Sequence, residues 1–423
     1  MSDARWSGIR ELTPEERRDA LAEKRGLDDE TREVLNAGPA LPIDRANSQI
    51  ENVYSVLGVP VGLGVNFLVD GQPRFVPMAT EEPSVVAAAS NIARHTLKHG
   101  GFTTSSTGPK MIAQIQVIGV SDPHAARARI EEAKGGLIEE ANSVDPILVK
   151  FGGGCEDLKA RIVETERGVQ VVVHLIVDVR DAMGANAVNS MAEALKPSIE
   201  KIAGGRVLMR ILSNFATERV YTARAVLSPQ DLGGEEVVES ILDAAALAEA
   251  DAYRAATHNK GIMNGVSAVV LATGNDTRAV ESGAHSYAAR FGSYKSLSRF
   301  ERDTDGNLSV TLEMPMPVGL VGGATKSNPI AKANTKVLGV ETADELSRVI
   351  VSVGLSQNIA AVRALADEGI QKGHMALHAR TLASAAGAEG EEVTRVAEAL
   401  VKSGNIRAEE AEQALRQLRE KDS

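Results

Sequence analysis

The sequence of 423 residues has little cysteine, few aromatic side chains and no excess of positive charge. Its single cysteine, Cys155, excludes an intrachain disulfide framework and any metal site built from several thiolates. Only 3% of the residues are aromatic while 43% are hydrophobic, so the core must be mostly aliphatic. The formal net charge of -11 argues against a general nucleic-acid binder, which needs clustered basic charge.

Long hydrophobic runs are also missing from the sequence. The longest uncharged stretch, Asn52–Val69, contains Pro60 together with several glycines and asparagines, and would make a poor membrane helix. Residues 1–10 lack the apolar segment of a signal peptide. We therefore expect a cytoplasmic protein that binds neither a membrane nor nucleic acid.

The apolar pattern predicts one folded unit inserted into another. Residues 62–78 predict a β-hairpin that turns at Asp70-Gly71, followed by a helix with Pro83 in its first turn. The segment 110–216 predicts elements in the order β-α-β-β-α-β, which is the ferredoxin-like pattern. Its helices are expected at Asp122–Asn142 and Gly184–Ile202.

The rest of the chain is predicted to be mostly helical. Charged helices are expected before Glu33, the first of them capped by Thr13, and a three-helix unit is expected from Gly373 onward. The elements between these ends are a helix at Glu235–Ala256, a short strand at Ser267–Ala272, a hairpin near Asp305-Gly306, and helices at 342–353 and 355–367.

Nucleotide and metal motifs are weak. The G-x-G-x-x-G pattern of Rossmann folds is absent. The loop Gly319–Ser327 resembles a P-loop, but its residues before Lys326 argue against an ATPase. At Arg180–Asn186 a strand runs into a helix, and this junction fits either a phosphate site or an ordinary helix cap. His374 and His378 share one helix face, but two histidines are too few for zinc, so we predict no metal.

One lysine and two carboxylates lie in polar segments where catalytic groups are often found. Lys260 is predicted in a loop between a helix and a strand, and Asp276 follows that strand. Glu82 is predicted at the start of a helix. Each also has a structural explanation, as a solvated charge, a helix cap and a partner of the helix dipole respectively.

Eight segments together resemble the hydroxymethylglutaryl-CoA reductase family, and specifically its class II, bacterial form. Their order and spacing fit that family over nearly the whole chain, although no single segment is specific alone. The segments are Glu51-Asn52-Val53, Pro77–Ser90, Gly100–Ser106, Arg180–Asn186, Ala256–Gly265, Ala272–Ala279, Glu313–Lys326 and Gly369–Arg380.

The resemblance implies an α+β fold with three parts. Residues 1–109 and 217–372 would form a large α/β domain that binds the CoA thioester. Residues 110–216 would form an inserted ferredoxin-like domain for NAD(P), and 373–423 a C-terminal helical lid. Members of the family are homodimers or assemblies of dimers, with the active site at the subunit interface.

The resemblance also implies an activity, the interconversion of hydroxymethylglutaryl-CoA with mevalonate and CoA. Two nicotinamide cofactors supply two hydrides through a mevaldehyde intermediate. Lys260 matches the catalytic lysine, which stabilises an oxyanion, and Asp276 the aspartate that orients it. His374 matches the acid that protonates the CoA thiolate. Glu82 matches the acidic proton donor, which we expect to be buried so that its pKa is raised.

Other matches concern binding. The positions that would hold the hydroxymethylglutaryl group are Ser84, Arg254, Asn264 and Asn358. The positions of the cofactor motif are Asp181, Met183, Gly184 and Asn186. Asp145 matches an acidic residue near the adenosine ribose, where a carboxylate would repel a 2′-phosphate and favour NAD over NADP.

Two alternatives stay open from the sequence alone. One is a non-catalytic protein that binds a nicotinamide cofactor or CoA on the same scaffold, against which the set Glu82, Lys260, Asp276 and His374 argues. The other is a CoA-thioester lyase or hydrolase, which cleaves the thioester without hydride transfer. The sequence does not distinguish mevalonate synthesis from mevalonate breakdown.

Overall fold

The structure is a computed structural model that describes residues 5–37, 41–322, 325, 327–366 and 379–422. Its strands, numbered in chain order, are β1 Val61–Val69, β2 Gln72–Ala79, β3 Phe102–Ser106, β4 Lys110–Ile118, β5 Gly154–Thr165, β6 Gly168–Asp178, β7 Arg206–Ser213, β8 Val220–Leu227, β9 Ser298–Arg302 and β10 Leu308–Pro315. They form two sheets of six and four strands.

The α-helices are numbered in the same way. The first nine are α1 Pro14–Arg25, α2 Asp29–Asn36, α3 Ile43–Asn47, α4 Val85–Thr96, α5 Pro123–Glu132, α6 Lys134–Ser143, α7 Pro146–Lys150, α8 Ala185–Ala194 and α9 Lys196–Ala203. The others are α10 Pro229–Leu232, α11 Glu235–Ala250, α12 Ala252–Ala272, α13 Thr277–Ala288, α14 Pro329–Leu338, α15 Ala343–Ala366, α16 Glu391–Ser403 and α17 Ala408–Asp422. A 3-10 turn at Leu97–His99 follows α4.

The larger sheet has the strand order β2-β1-β3-β8-β10-β9. Its first two strands form the predicted hairpin around Asp70-Gly71, which joins β3 by a single parallel pairing. The other neighbours are antiparallel. Helices α4, α12 and α15 contact this sheet and share one aliphatic core with it. The N-terminal helices are confirmed, and α1 begins with the predicted capping box between Thr13 and Glu16.

The smaller sheet has the order β5-β6-β4-β7, with every pair antiparallel. In chain order its elements run β-α-β-β-α-β, so the predicted ferredoxin-like arrangement is confirmed. Its own apolar cluster includes Ile115, Ile130, Leu175 and Met191. Each of the two predicted helices is broken in two, because Pro197 cannot continue α8 and the pair Gly135-Gly136 favours helix poorly.

Three predictions in the larger unit are wrong. The helix predicted at Glu235–Ala256 is α11, which ends at Ala250. Ser267–Ala272 is not a strand but the last turns of α12, which begins directly after Asp251 rather than continuing the preceding helix. A short apolar run has no period that distinguishes a buried helix from a buried strand. The helices predicted at 342–353 and 355–367 are one helix, α15, because Gly354 allows a close contact there instead of ending the helix.

Helix α15 is also long and apolar enough, by length and composition alone, to cross a membrane, and no other helix in the described ranges is. Of its most apolar window, 67% is buried inside the protein. This burial is typical of a core helix in a folded protein.

The C-terminal part forms a separate small cluster. Helical residues 379–385 pack with α16 and α17 around Ala383, Leu400 and Leu415. This agrees with the predicted three-helix unit for the part from residue 379. Residues 367–378, which include His374 and His378, lie outside the described part of the chain.

Two glycines bring α12 and α15 into close contact. A Cβ atom on Gly265 would lie 2.9 Å from the carbonyl oxygen of Val353 and 2.9 Å from Cβ of Gln357. On the other helix, a Cβ on Gly354 would lie 2.6 Å from Cγ2 of Val266. Backbone atoms cannot move away as a flexible side chain does, so any larger residue at position 265 must separate the two helices.

We expect Gly265→Ala to lower the free energy of unfolding by about 1–3 kcal/mol, because overpacking exceeds the gain in helix propensity. Denaturant unfolding measures this change. Gly261→Ala is the matched control on the same helix, since its Cβ would lie 3.7 Å from Cβ of Ala361, an ordinary contact. Equal stability of the two variants would contradict the close contact at Gly265.

Candidate active site

A cavity of about 570 Å³ lies where the turn after β2, α12 and α15 meet. Six of the predicted site residues line it, and they come from segments almost 280 positions apart in sequence. They are Glu82, Ser84, Arg254, Lys260, Asn264 and Asn358. All four predicted substrate-binding residues are therefore close to two of the predicted catalytic residues.

The central contact in this cavity is an ion pair. Lys260 Nζ lies 2.7 Å from Glu82 Oε2, and Asn264 Nδ2 donates to Glu82 Oε1 at 3.1 Å. The side chains of Lys260 and Glu82 are 60% and 36% exposed, so the pair contributes little to stability. The prediction of a buried Glu82 is wrong, because the turn before α4 leaves it open to the cavity.

The surroundings of Lys260 also differ from the prediction. The lysine lies within α12 rather than in a loop, one turn before Asn264. Residues four apart lie on the same helix face, so both side chains reach Glu82 from one direction. A helix holds these groups more firmly than a loop would.

The turn that carries Glu82 is stabilised by its own contacts. Glu82 N donates to Thr80 Oγ1 at 3.1 Å. Ser84, the residue before α4, has a φ of 75°, which is rare and costly for a residue other than glycine. Pro83 therefore precedes the helix rather than lying in its first turn. The strained turn directs residues 82–84 toward the cavity.

Positive charge is concentrated in the cavity. Arg254 lies in the first turn of α12, and burial lowers the pKa of its guanidinium from the usual value. Arg363 on α15 lines the same cavity, together with the buried amide of Gln357. Neither Arg363 nor Gln357 was predicted from the sequence. Ala361 and Val362, three and four positions after Asn358, lie on the same helix face as Asn358, whereas Arg363 does not. The helical pattern of the sequence therefore did not indicate Arg363.

Asp276 does not line this cavity, although the next two residues, Thr277 and Arg278, line a neighbouring cavity together with Glu82 and Lys260. Its Oδ1 accepts from the backbone N–H groups of Arg278 and Ala279, at 2.9 and 3.2 Å, and so caps α13. Within the described residues, no hydrogen bond or ion pair joins Asp276 to Lys260. Its neighbour Asn275 accepts a 2.8 Å bond from the backbone of Gly319 and so anchors the glycine-rich loop.

The predicted cofactor residues surround the start of α8. Gly184 precedes this helix with a φ of 104°, and no side chain caps the helix N-terminus. Unpaired N–H groups at such an end favour an anion such as phosphate. Asn186 is exposed beside it. The residues present therefore fit the pyrophosphate of a nicotinamide cofactor, whose chemistry is hydride transfer.

Two other members of the cofactor motif join it to the larger unit. Asp181 Oδ1 accepts from Ala343 N at 2.8 Å, at the start of α15. The carbonyl oxygen of Met183 accepts from the guanidinium of Arg219 at 3.4 Å, and that buried arginine also donates to Val318 O at 2.6 Å. Asp181 thus ties the loop 180–184 to α15, and Arg219 ties it to Val318, directly before the glycine-rich loop Gly319–Ser327.

Asp145 lies on the inserted unit at the start of the short helix α7. Its Oδ1 caps that helix by accepting from Leu148 N at 2.9 Å. Oδ2 makes no hydrogen bond to the residues that the structure describes. One carboxylate oxygen therefore remains for a hydroxyl group of a ligand.

A second, larger cavity adjoins the first along α4. It measures about 960 Å³ and is bounded by residues 5–11, β1 and α4, and Asn91 lines both cavities. This cavity, which we call the N-terminal groove, was not predicted from the sequence. Its cationic residues include Arg5, Arg10, Arg17, Arg94 and Lys98. They come from two distant segments, residues 5–17 and 94–98, so only the folded chain brings them together.

Neither metal ligands nor a reactive cysteine are found in the described ranges of the chain. No group of three or more His, Cys, Asp or Glu side chains there could hold a metal ion. Cys155 is 4% exposed, and burial raises the pKa of its thiol to about 12. A thiol with such a pKa stays protonated near pH 7 and is a poor nucleophile.

Comparisons with known proteins agree with this geometry. The family model for hydroxymethylglutaryl-coenzyme A reductase matches residues 13–379. A 3-hydroxy-3-methylglutaryl-coenzyme A reductase of Archaeoglobus fulgidus is 55% identical over 98% of this chain and 95% of that protein. A probable reductase of the same kind from Borreliella burgdorferi is 37% identical over 78% of this chain and 76% of its own length.

Solved structures show the same likeness. A 3-hydroxy-3-methylglutaryl-coenzyme A reductase of Streptococcus pneumoniae is 40% identical and superimposes with a TM-score of 0.84, covering 98% of this chain and 100% of that one. Another structure of the class II enzyme from that organism, bound to NADPH in open conformations, has a TM-score of 0.82, 40% identity and coverage of 96% of this chain and 100% of that one.

The fold, the cavity and these matches define the class of the protein, which is an α+β oxidoreductase that acts on a CoA thioester. The chain belongs to the hydroxymethylglutaryl-coenzyme A reductase family.

Proposed function

We propose that this chain reduces hydroxymethylglutaryl-CoA to mevalonate and CoA, with catalysis centred on Lys260 and Glu82. The observation that carries the proposal is the cavity in which the 2.7 Å Lys260–Glu82 pair lies beside Arg254. An arginine fork suits the carboxylate of the acyl group, and an ammonium suits the thioester oxygen.

The chain's own groups have distinct roles in this proposal. One molecule of the reduced nicotinamide cofactor would supply a hydride to the thioester carbon, and a second molecule would supply a hydride to the aldehyde carbon. Lys260 donates a hydrogen bond to the oxygen that becomes negative after the first addition. When the carbon–sulfur bond breaks, His374 gives its proton to the CoA thiolate. Glu82 gives a proton to the alkoxide that the second addition leaves.

The N-terminal groove is our candidate for the phosphates of CoA. Its arginines and lysine lie along α4 next to the cavity that contains Lys260 and Glu82, which we call the acyl cavity. One extended ligand can therefore occupy the groove and the acyl cavity together. Their local charge would attract a polyphosphate in spite of the net charge of -11.

The proposed cofactor site lies on the inserted unit. The uncapped start of α8, with Gly184 and Asn186, would hold the pyrophosphate, and Asp145 Oδ2 the adenosine ribose. Asp181 and Met183 would position this loop through their contacts with the larger unit. We propose that Asp145 favours NAD over NADP.

A homodimer in the cytoplasm completes the proposal. The segment after α3 exposes large apolar side chains, among them Tyr54 at 96% and Leu57 at 90%. Exposed apolar patches of this kind favour association, and a second copy of the chain is the commonest partner. Within the described residues Asp276 makes no hydrogen bond or ion pair with Lys260, so we propose that it acts in an assembled site.

The domain division follows the two sheets. We propose a CoA-thioester-binding domain of residues 1–109 and 217–372, with the nicotinamide domain at 110–216. The C-terminal unit at 373–423 would be the lid that carries His374.

The proposed reaction has a defined stoichiometry. With hydroxymethylglutaryl-CoA and NADH or NADPH, we expect two cofactors to be oxidised for each CoA thiol released. Nicotinamide absorbance and a thiol reagent measure the two quantities, and the protected Cys155 adds no background in the native protein. Thiol release without cofactor oxidation would contradict the proposal and indicate a lyase or hydrolase. Binding without either change would indicate a non-catalytic protein.

Lys260→Met tests the proposed oxyanion partner, since it removes the ammonium and keeps a long side chain. We expect kcat to fall by about 10²–10³-fold, as for other lost oxyanion donors. Lys332→Met is the matched control, because it breaks another exposed lysine–glutamate pair, with Glu30 at 3.2 Å. Similar turnover of the two variants would show that Lys260 has no such role.

Asp145→Asn tests the proposed cofactor preference. Asparagine caps a helix as well as aspartate does, so the variant removes only the charge. We expect the wild type to prefer NADH, and the preference in kcat/KM to fall about tenfold in the variant because repulsion of a 2′-phosphate is lost. Asp122→Asn, at the cap of α5, is the control. A wild type that strongly prefers NADPH refutes this assignment.

A further inference from the structure

Three buried polar side chains form a hydrogen-bonded chain beside the acyl cavity. They are His258 on α12, Ser298 on β9 and Asn358 on α15, with exposures of 2%, 4% and 1%. The Ser298 hydroxyl lies 2.7 Å from His258 Nε2 and donates to Asn358 Oδ1 at 2.7 Å. His258 and Asn358 line the cavity, whereas Ser298 lies behind them. The catalytic roles proposed above do not use His258 or Ser298.

The hydrogen bonds in this chain have one consistent direction. The single proton of Ser298 is donated to Asn358, so its oxygen accepts from His258 Nε2–H. The nearby Ser296 hydroxyl donates to the Ser298 carbonyl at 2.7 Å, so its proton is also committed. His258 Nδ1 has no partner in the described part of the chain, which fits an acceptor lone pair better than a buried N–H.

The imidazole is neutral in this arrangement. Burial, followed by the charge of Arg254, lowers the pKa of His258 to about 4. Near pH 7 the ring therefore carries a single proton, as the hydrogen bond to Ser298 requires.

Within the described residues His258 Nδ1 has no partner, which places the proton of the neutral ring on Nε2. Ser298 therefore accepts from His258 and donates onward, and Asn358 must present its amide oxygen to it. Its Oδ1 is held by Ser298, so Nδ2 points the other way, where it lies 3.5 Å from the carbonyl oxygen of His258. The reversed amide would place two oxygens against each other at that point. An amide has two N–H groups, and the second remains for a ligand in the cavity.

We propose that His258 and Ser298 are positioning residues, which lock the Asn358 amide as a hydrogen-bond donor toward an oxygen of the acyl group. This inference rests on the proposed function. It also specifies the ligand chemistry. The locked amide can donate to a carboxylate or hydroxyl oxygen at that point, whereas a ligand group that can only donate would not bind there.

Ser298→Ala removes the hydroxyl and frees the amide to turn its oxygen toward the ligand. We expect KM for hydroxymethylglutaryl-CoA to rise about ten- to hundredfold, the effect of one hydrogen bond to a charged group. We expect kcat and the KM of the cofactor to stay within about twofold, a division that general loss of structure would not produce. Ser296→Ala removes the neighbouring hydroxyl, which lies 3.2 Å from Ser298 Oγ, but keeps the Ser298–Asn358 bond, so it should leave KM unchanged.

A double-variant comparison tests whether Ser298 acts through Asn358. Adding Ser298→Ala to Asn358→Ala should not raise KM further, because the group that it positions is already gone. A further tenfold rise would overturn the proposal, as would an unchanged KM in Ser298→Ala or an equal rise in Ser296→Ala. If Ser298→Ala does not fold, two variants of His258 replace it. In His258→Gln the glutamine amide can replace the Nε2–H donor, so we expect a near-normal KM. His258→Leu has no donor and should raise KM.

The state of His258 is measured without substrate by ¹⁵N NMR of histidine-labelled protein near pH 7. We expect a protonated Nε2 and an unprotonated Nδ1 for the signal that His258→Gln removes. A protonated Nδ1 would overturn the inference. If the wild type instead shows this tautomer but no turnover with hydroxymethylglutaryl-CoA, the proposed function fails. Binding of that thioester to Ser298→Ala is then compared with binding to the wild type. We expect the same tenfold weakening, and unchanged binding would overturn the inference.

Discussion

The close packing of α12 on α15 is the constraint on which the active-site cavity depends. Helix α12 carries Arg254, Lys260 and Asn264, and α15 carries Asn358, so the distance between the two helices sets the width of the cavity. Because Gly265 has no side chain, the two helix backbones lie so close that a Cβ atom at this position would be 2.9 Å from the carbonyl oxygen of Val353. Because interiors are close-packed, the helices cannot separate slightly without losing contacts along their length. A packing constraint of the core is thus also a constraint on the geometry of the site.

The charged side chains that line the two cavities are mostly positive, although the whole chain is negative. The chain has a net charge of -11, yet its two adjoining cavities are lined by cationic side chains from the N-terminus, α4, α12 and α15. In the larger cavity Lys98 is paired with Asp231. The Lys260–Glu82 pair likewise places an anion beside an ammonium. It lies at the wet edge of the cavity, where an ion pair contributes little to stability, so we interpret it as a reactive pair rather than a structural one.

Much of this could be predicted from the sequence, because turn signals, helix caps and the β-α-β-β-α-β order are local. The hairpin at Asp70-Gly71 and the capping box at Thr13 follow from a few neighbouring residues. The errors concern tertiary packing. The Ser267–Ala272 run is short and apolar and forms the last turns of α12, and Gly354 continues a helix because a neighbour needs the space. The strained Ser84, the N-terminal groove and the His258 chain have no local pattern at all.

A crystal structure with hydroxymethylglutaryl-CoA bound tests the central claim most directly. The claim is that the cavity between α12 and α15 binds the acyl group with its thioester at Lys260. We predict the thioester oxygen within hydrogen-bonding distance of Lys260 Nζ, about 2.7–3.2 Å, and the acyl carboxylate at Arg254. An acyl group bound in any other cavity, or one with its thioester distant from Lys260, would contradict the account.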